Sequence, residues 1–320
     1  MNLPTLPAHR LAERPHQRRW LIDELWADEA VGIVGGEPKC CKSFLALDMA
    51  VAVAGGVPCL RRFAPTQTGR VLLYAAEDAL HVVRSRLAGI AAAAGRDLAE
   101  LDIHVITAPS VRLDIERDRD ALVETIVELS PKLLVLDPFV RLHRIDENLS
   151  SEVAPLLAYL RELQRRYHVA VVLVHHARKG GARMRAGQAL RGSSEFHAWG
   201  DSNLYLRRAG EQLTLSVEHR AAASMAALPV QLAVDGDAVA LTPVDHPPAD
   251  PEQAASPAIA GSTTTEQTIE AHLAAAPSPM TASALRKLCR VRNTTVTAAL
   301  ADLVAAGRVR KDSTGYVIAR

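Results

Sequence analysis

Through residue 242 the chain alternates between two hydrophobic patterns. Short, β-branched runs at Ala30–Val34, Val71–Ala75, His104–Thr107, Leu133–Leu136 and Ala170–Val174 read as buried strands. Between them, Lys42–Val53, Ala79–Ala94, Ala121–Leu129 and Ser151–Tyr167 read as amphipathic or alanine-rich helices. Strands that are apolar on both faces and separated by helices predict an α/β domain with a mainly parallel sheet covered on both sides. Ser202–Arg207 and Leu213–Glu218 follow one another with no helix between, so they are expected to extend that sheet antiparallel at one edge. Ligands of such sheets bind where strands end at their carboxyl side, so the strand exits are where chemistry is expected.

The pattern breaks at residues 243–264, which are rich in Pro, Ala and Ser, carry three acids and no Lys or Arg, and show no hydrophobic period. They read as a linker. The expected organisation is an N-terminal arm (1–19), a large α/β domain (20–242), the linker (243–264) and a small module (265–320). That module has its own rhythm. Thr265–Ala275 and Thr281–Cys289 read as helices, and Asn293–Ala306 as a third with Val296, Leu300 and Leu303 on one face. Gly307 stops it, and Arg308–Arg310 and Gly315–Ile318 are expected to pair as a hairpin.

Composition narrows the function classes. The net charge is +1 over 320 residues, which excludes a uniformly basic nucleic-acid coat, and aromatics are only 4%, which argues against ring-stacking platforms for single strands. The distribution matters more than the sum. From Thr265 to Arg320 there are eight basic and four acidic residues, a net +4. Phe44–Val57 is the longest apolar run and is interrupted by Asp48 and Gly55, so no membrane span is expected. The arginines near the start precede no apolar stretch, unlike a secretory signal. The four cysteines (Cys40, Cys41, Cys59, Cys289) form no Cys-x-x-Cys pair, so neither a zinc ribbon nor a disulfide framework is indicated. A soluble, cytoplasmic protein is the expectation.

The first strand exit carries the strongest chemical signal. Gly36-Glu37-Pro38-Lys39-Cys40-Cys41-Lys42-Ser43-Phe44 follows a buried strand and opens a helix. This is the spacing of a phosphate-binding loop, with Cys41 where a second glycine usually stands. Backbone N–H groups at a helix N-terminus converge on phosphate oxygens, Lys42 supplies a point cation, and Ser43 supplies a hydroxyl for Mg²⁺. Such a loop needs carboxylates. Leu133–Leu136 runs into Asp137, placed to reach the metal, and Val71–Ala75 runs toward Glu77 and Asp78. Glu77 can polarise an attacking water, although acids at a helix start also serve as caps. His175 and His176 lie next to each other on a strand and so face opposite sides, which argues against a shared metal. One of them can then sense phosphate.

Two basic segments suit nucleic acid. Residues 178–191 contain Arg178, Lys179, Arg183, Arg185 and Arg191 with three glycines and no acid, fitting a cationic loop against a phosphate backbone. Leu142–Asn148 is a second, more mixed loop. The module at 265–320 resembles a winged helix-turn-helix. Its third helix would enter a major groove through Arg292, Asn293, Thr294 and Thr295, with Arg310 and Lys311 on the wing. Folds of this kind also dock proteins.

Taken in order, GGEPKCCKSFLALDMAVAVA, VLLYAAED, LLVLDPFVRLHRIDENLSS, VVLVHHARKGG and ALRGSSEFHAWGDSNLYL resemble the RecA/DnaB-like ATPases, and within them the RepA-type plasmid and phage helicases. The resemblance spans about residues 18–242. It implies a RecA-like P-loop core, ATP and Mg²⁺ as cofactors, and Lys42 and Ser43 as the Walker A pair. It further implies Glu77 as catalytic base, Asp137 as Walker B acid and His176 as a polar sensor. Relatives tolerate residues other than glycine at the position of Cys41. They are rings, commonly hexameric, whose basic loops line a channel for single-stranded DNA, so a homo-oligomer engaged in DNA replication is implied. Glu218-His219-Arg220 resembles the place of a Lys-x-Arg finger that acts on a neighbouring subunit. With Glu218 at the first position, Arg220 is the candidate, and Arg207 and Arg208 are fallbacks. A nucleotide-switched DNA-binding regulator or loader that never unwinds is the alternative class, and a RecA-like recombination mediator is a third.

Overall fold

The structure, a computed structural model, describes residues 3–11, 19–176, 195–244, 265–276, 278–289, 296, 299–300, 303–304, 306–312 and 315–319. The chain divides into two compact units, Met1–Pro247 and Pro248–Arg320. Among the described residues no helix is long and apolar enough to cross a membrane.

In the first unit, a two-stranded ribbon of β1 (Trp20–Ile22) and β2 (Trp26–Ala27) precedes β3 (Val31–Gly36), α1 (Lys42–Gly55), β4 (Val71–Ala75) and α2 (Leu80–Ala93). Next come β5 (Ile103–Val105), α3 (Glu116–Leu129), β6 (Leu133–Asp137), α4 (Ser150–Tyr167), β7 (Ala170–His176) and α5 (Glu195–Trp199). The unit closes with β8 (Ser202–Ala209), β9 (Gln212–His219), β10 (Met225–Asp235) and β11 (Ala238–Pro243). Nine strands form one sheet in the order β11-β10-β9-β8-β3-β7-β6-β4-β5. From β8 to β5 neighbouring strands run parallel, and from β8 to β11 they run antiparallel. This is the mainly parallel α/β arrangement expected from the strand–helix alternation, except that β8, expected antiparallel, joins β3 in parallel and only its outer neighbours run antiparallel.

Period-two alternation divides the core between the two faces. Val34, Leu73, Val135, Val172 and Leu204 join α1 and α2 on one side. Ile33, Leu72, Leu134, Val171 and Tyr205 join α3 and α4 on the other. Over nearly all their length β3, β4, β6 and β7 meet water on neither face, which is why their sequence is continuously apolar, whereas the edge strand β5 is partly exposed.

α1 is buried almost all round, from Leu45 through Val53. β11 packs against both α1 and α2, and Val230 and Leu241 of the terminal hairpin lie in the same core cluster as α1. A Cβ on Gly89 of α2 would stand 2.9 Å from the Asp237 carbonyl, so only glycine permits that approach. The longest apolar run of the sequence is therefore a buried helix. Its one acid, Asp48, is 1% exposed and pairs with Arg61. It also accepts from the Leu60 N–H and, at 3.4 Å, from the Cys59 thiol.

Two boundaries and one hairpin differ from expectation. α3 begins at Glu116 rather than Ala121, because its charged first turn hides the helical period but favours the positive end of the helix dipole. The strand expected at His104–Thr107 is Ile103–Val105, in register with Val71–Leu73. β10 and β11 were not foreseen. β10 carries Pro229, is mostly exposed and shifts register against β9, so it lacks a clean alternation.

The second unit contains α6 (Thr265–Ala275), α7 (Ala282–Cys289), helical residues Val296, Ala299, Leu300, Leu303 and Val304, and a hairpin of β12 (Val309–Lys311) and β13 (Tyr316–Ile318). Thr281 Oγ1 accepts from the Ala284 N–H at 3.2 Å, capping α7. Ile269, Leu273, Leu285, Val296, Leu300, Leu303 and Val309 make a separate small core. Met280 pairs with Tyr316 through two backbone bonds of 3.0 and 2.9 Å, adding a third short strand position.

Candidate active site

Four strand exits meet in one row. Gly36 on β3 is level with His176 on β7, and Ala75 on β4 is level with Asp137 on β6. Just beyond them a cavity of about 300 Å³ is lined by the loop from Lys39 to Phe44 and by Glu77, Asp78, Arg86, Asp137 and His176.

The loop after β3 is shaped for an anion. A Cβ on Gly36 would lie 2.3 Å from the Leu206 carbonyl of β8, so the first loop position must be glycine. Lys39 and Cys41 have φ of 66° and 60°, and Cys41 stands as N-cap of α1 with no side-chain cap bond. The left-handed turn at Cys41 is the conformation for which glycine is usually chosen, and a side chain there costs about 1–2 kcal/mol. It turns successive N–H groups inward at a helix N-terminus. Cys40 is buried, which pushes its thiol up, with Lys42 and the Arg208 guanidinium opposing. Arg208 also donates to Cys41 Sγ at 3.8 Å, so of the two fallback arginines this one lies beside the loop of its own chain.

Lys42 is 5% exposed and donates from Nζ to the Glu37 carbonyl at 2.8 Å. Burial pulls its pKa down, and Cys40, Asp137 and Glu77 counteract. A buried ammonium folded back on a carbonyl is ready to exchange that partner for phosphate oxygens. Asp137 is pushed up to about 6, chiefly by burial and further by Asp78 and Glu77, while a hydrogen bond from Ser43 opposes the rise. A hydroxyl already in contact with a desolvated carboxylate is an oxygen donor pair suited to a hard divalent cation. Ser43 and Asp137 therefore fit Mg²⁺.

The two histidines part company. His175 is 1% exposed and stacks on Phe196 at 4.3 Å, edge-on to Phe139 at 5.9 Å, inside the core. His176 faces the cavity. Glu77 reaches the cavity and accepts from Arg141 Nε at 2.9 Å. Asp78 pairs with Arg86 of α2, whose guanidinium lies 5.3 Å from the Phe44 ring centre. The capping alternative for these acids does not hold, because α2 begins after Ala79 with no side-chain cap bond. Arg86 and Arg141 were not singled out from the sequence. The second loop flagged there starts at Leu142, one residue past Arg141.

Arg220 sits at the far end of the sheet. Its N–H donates to the Asp201 carbonyl, and the Asp201 N–H donates to that of Val31. Gly36 lies five residues further along β3, roughly 17 Å at the usual rise of a strand. The Arg220 guanidinium bonds to the Ala198 carbonyl and lies 3.4 Å from Asp201 Oδ1, with its side chain 54% exposed. Arg220 therefore lies away from the phosphate loop of its own chain. Arg178, Lys179, Arg183, Arg185, Arg191, Arg292, Asn293, Thr294 and Thr295 lie outside the described residues. Arg310 and Lys311 are exposed on β12, with Lys311 Nζ 5.7 Å from the Tyr316 ring centre.

A family model of an AAA domain, AAA_25, matches residues 1–182. The crystal structure of a KaiC-like protein, PH0186, from the archaeon Pyrococcus horikoshii OT3 aligns with 70% of this chain and 94% of its own at 14% identity, with a TM-score of 0.47. The structure of a DnaB-like replicative helicase, described with its interactions with primase, aligns with 67% of this chain at 13% identity and a TM-score of 0.50. The chain spans 59% of that helicase's length, and the likeness is one of fold.

Proposed function

The chain belongs to the AAA_25 family of AAA-domain proteins, and on that premise we propose that it is a Mg²⁺-dependent ATPase of the RecA/DnaB kind that acts on DNA as a RepA-like helicase or translocase. The observation that carries the proposal is the gathering of Lys42, Ser43, Glu77, Asp137 and His176 around one cavity at the carboxyl end of the sheet. Lys42 and the inward N–H groups of residues 39–43 bind the phosphates, and Ser43 and Asp137 hold the metal. When bound, Mg²⁺ offsets the phosphate charge. Glu77 accepts the proton of the attacking water, and His176, next to Gly36, registers whether the terminal phosphate is present.

Phosphoryl transfer also needs a cation on the developing charge. Arg220 supplies it in trans on this reading, which makes a ring of copies, commonly six, the working unit. The basic stretch 178–191 tracks single-stranded DNA. The module at 265–320 acts as a winged helix on duplex DNA, supported by its +4 charge and by exposed Arg310 and Lys311.

Two assays test this. A motor shows ATPase stimulated severalfold by single-stranded DNA and displaces a strand from a fork. A nucleotide-switched regulator shows neither. Lys42→Ala and Arg220→Ala should each abolish hydrolysis, and mixed oligomers of the two should regain part of it. Mixed oligomers without recovery would remove the trans role of Arg220.

A further inference from the structure

The ion pair between Glu77 and Arg141 is a contact at the site that the reading above leaves unused. The residues are 64 apart in sequence and meet because β4 and β6 are neighbours. Arg141 does not hang on a loose loop. It closes a single 3-10 turn, Phe139–Arg141, in which its N–H donates to the Pro138 carbonyl at 3.1 Å and that of Leu142 to Phe139 at 2.8 Å. Phe139 and Leu142 are fully buried, and the His143 ring packs on Phe139 at 4.2 Å. A side chain held on so fixed a base loses less freedom on pairing, which lets an exposed ion pair persist.

The pairing works against catalysis. The Arg141 guanidinium occupies an oxygen of Glu77 that must face water. Only Nε of Arg141 and Oε1 of Glu77 are engaged, and the Arg141 side chain is 61% exposed. A phosphodiester can take two parallel bonds from the guanidinium fork, whereas Glu77 holds it here by the single Nε contact. Arg144 is exposed three residues further on, while Glu147 of the same loop turns inward to within 3.4 Å of His143.

We propose that Arg141 restrains Glu77 in the resting site, and that a single-stranded DNA backbone arriving at residues 138–149 draws the guanidinium away. DNA binding and release of the base are then one event. The proposal rests on the reading of Glu77 as base and of DNA as the polymer acted on.

The test is ATPase activity of the full chain, with and without oligo-dT, for the wild type and for Arg141→Ala, Arg141→Lys and Glu77→Gln. Arg141→Ala should raise the DNA-free kcat about two- to fivefold, the range over which an exposed ion pair shifts an equilibrium. Its KM for ATP should not change, and its stimulation by DNA should shrink by the same factor. Arg141→Lys, which keeps the charge but not the fork, should fall between. A lower DNA-free kcat in Arg141→Ala would overturn the proposal, since Arg141 would then be holding Glu77 in its working position. Undiminished stimulation with unchanged basal rate would overturn it as well. Survival of hydrolysis in Glu77→Gln is a separate failure, that of the underlying reading of the base.

Discussion

Replacing Asp137 with asparagine should stabilise the nucleotide-free protein while abolishing hydrolysis. Burial, with Asp78 and Glu77 nearby, raises this carboxyl from the ordinary 3.8 to about 6. The sign follows from linkage. Well below pH 3.8 the group is protonated in folded and unfolded chains alike and contributes nothing. Between pH 4 and 6 the unfolded chain ionises first, so stability falls as pH rises, and above pH 6 the full penalty applies. Its upper bound is (6 − 3.8) × 1.36, about 3 kcal/mol. For a unit of this size that corresponds to roughly 6–12 °C in Tm. Asp137→Asn removes the charge but keeps the shape and an acceptor for Ser43. Thermal unfolding of both proteins without nucleotide or metal, at pH 4 and pH 8, checks the reasoning. The variant should melt higher at pH 8 and only slightly higher at pH 4, and Mg²⁺ with a non-hydrolysable nucleotide should stabilise the wild type more. A variant that melts lower at pH 8, or a gain as large at pH 4 as at pH 8, would refute the argument.

Other outcomes follow from particular contacts. Gly36→Ala places a Cβ 2.3 Å from the Leu206 carbonyl, so it should weaken ATP binding by tenfold or more in a titration and cost about 1–3 kcal/mol of stability. Cys41→Gly relieves the left-handed strain at φ 60° and should raise stability by up to about 1 kcal/mol with nucleotide binding intact; lost binding would show that the thiol has a role of its own. Arg61→Met leaves Asp48 charged and unpaired inside α1, which should cost about 3–5 kcal/mol in chemical denaturation; a loss under 1 kcal/mol would contradict the pairing. Deleting residues 262–320 should leave DNA-free ATPase unchanged and flatten the salt dependence of duplex binding, whereas an unchanged salt slope would show that the module is not a DNA reader.

Much of the architecture is carried by local chemistry. Unbroken β-branched runs between helical patterns demand a sheet buried on both faces, because no other arrangement removes both sides of a strand from water. The loop from Gly36 to Ser43 announces itself because close backbone approach, a left-handed turn and a helix N-terminus each restrict the residues that can stand there. Strand alternation alone also says that His175 and His176 face opposite sides.

Which side faces the cavity is decided by register. Level with Gly36, His176 opens toward the loop while His175 falls among Phe139 and Phe196. The partners of the acids are equally nonlocal. Arg141 reaches Glu77 across two strands, Arg86 reaches Asp78 from α2, and Asp48 becomes tolerable in an apolar helix only because Arg61 returns to it. Charged side chains leave no periodic trace in the chain, since their energy depends on which opposite charge the fold brings within a few ångströms. The hairpin of β10 and β11 is hidden for a related reason. It gains burial where β11 packs on α1 and α2, a surface that exists only after the rest has folded. The order of elements is written in the spacing of apolar residues, and the pairing of charges at the site is written only in three dimensions.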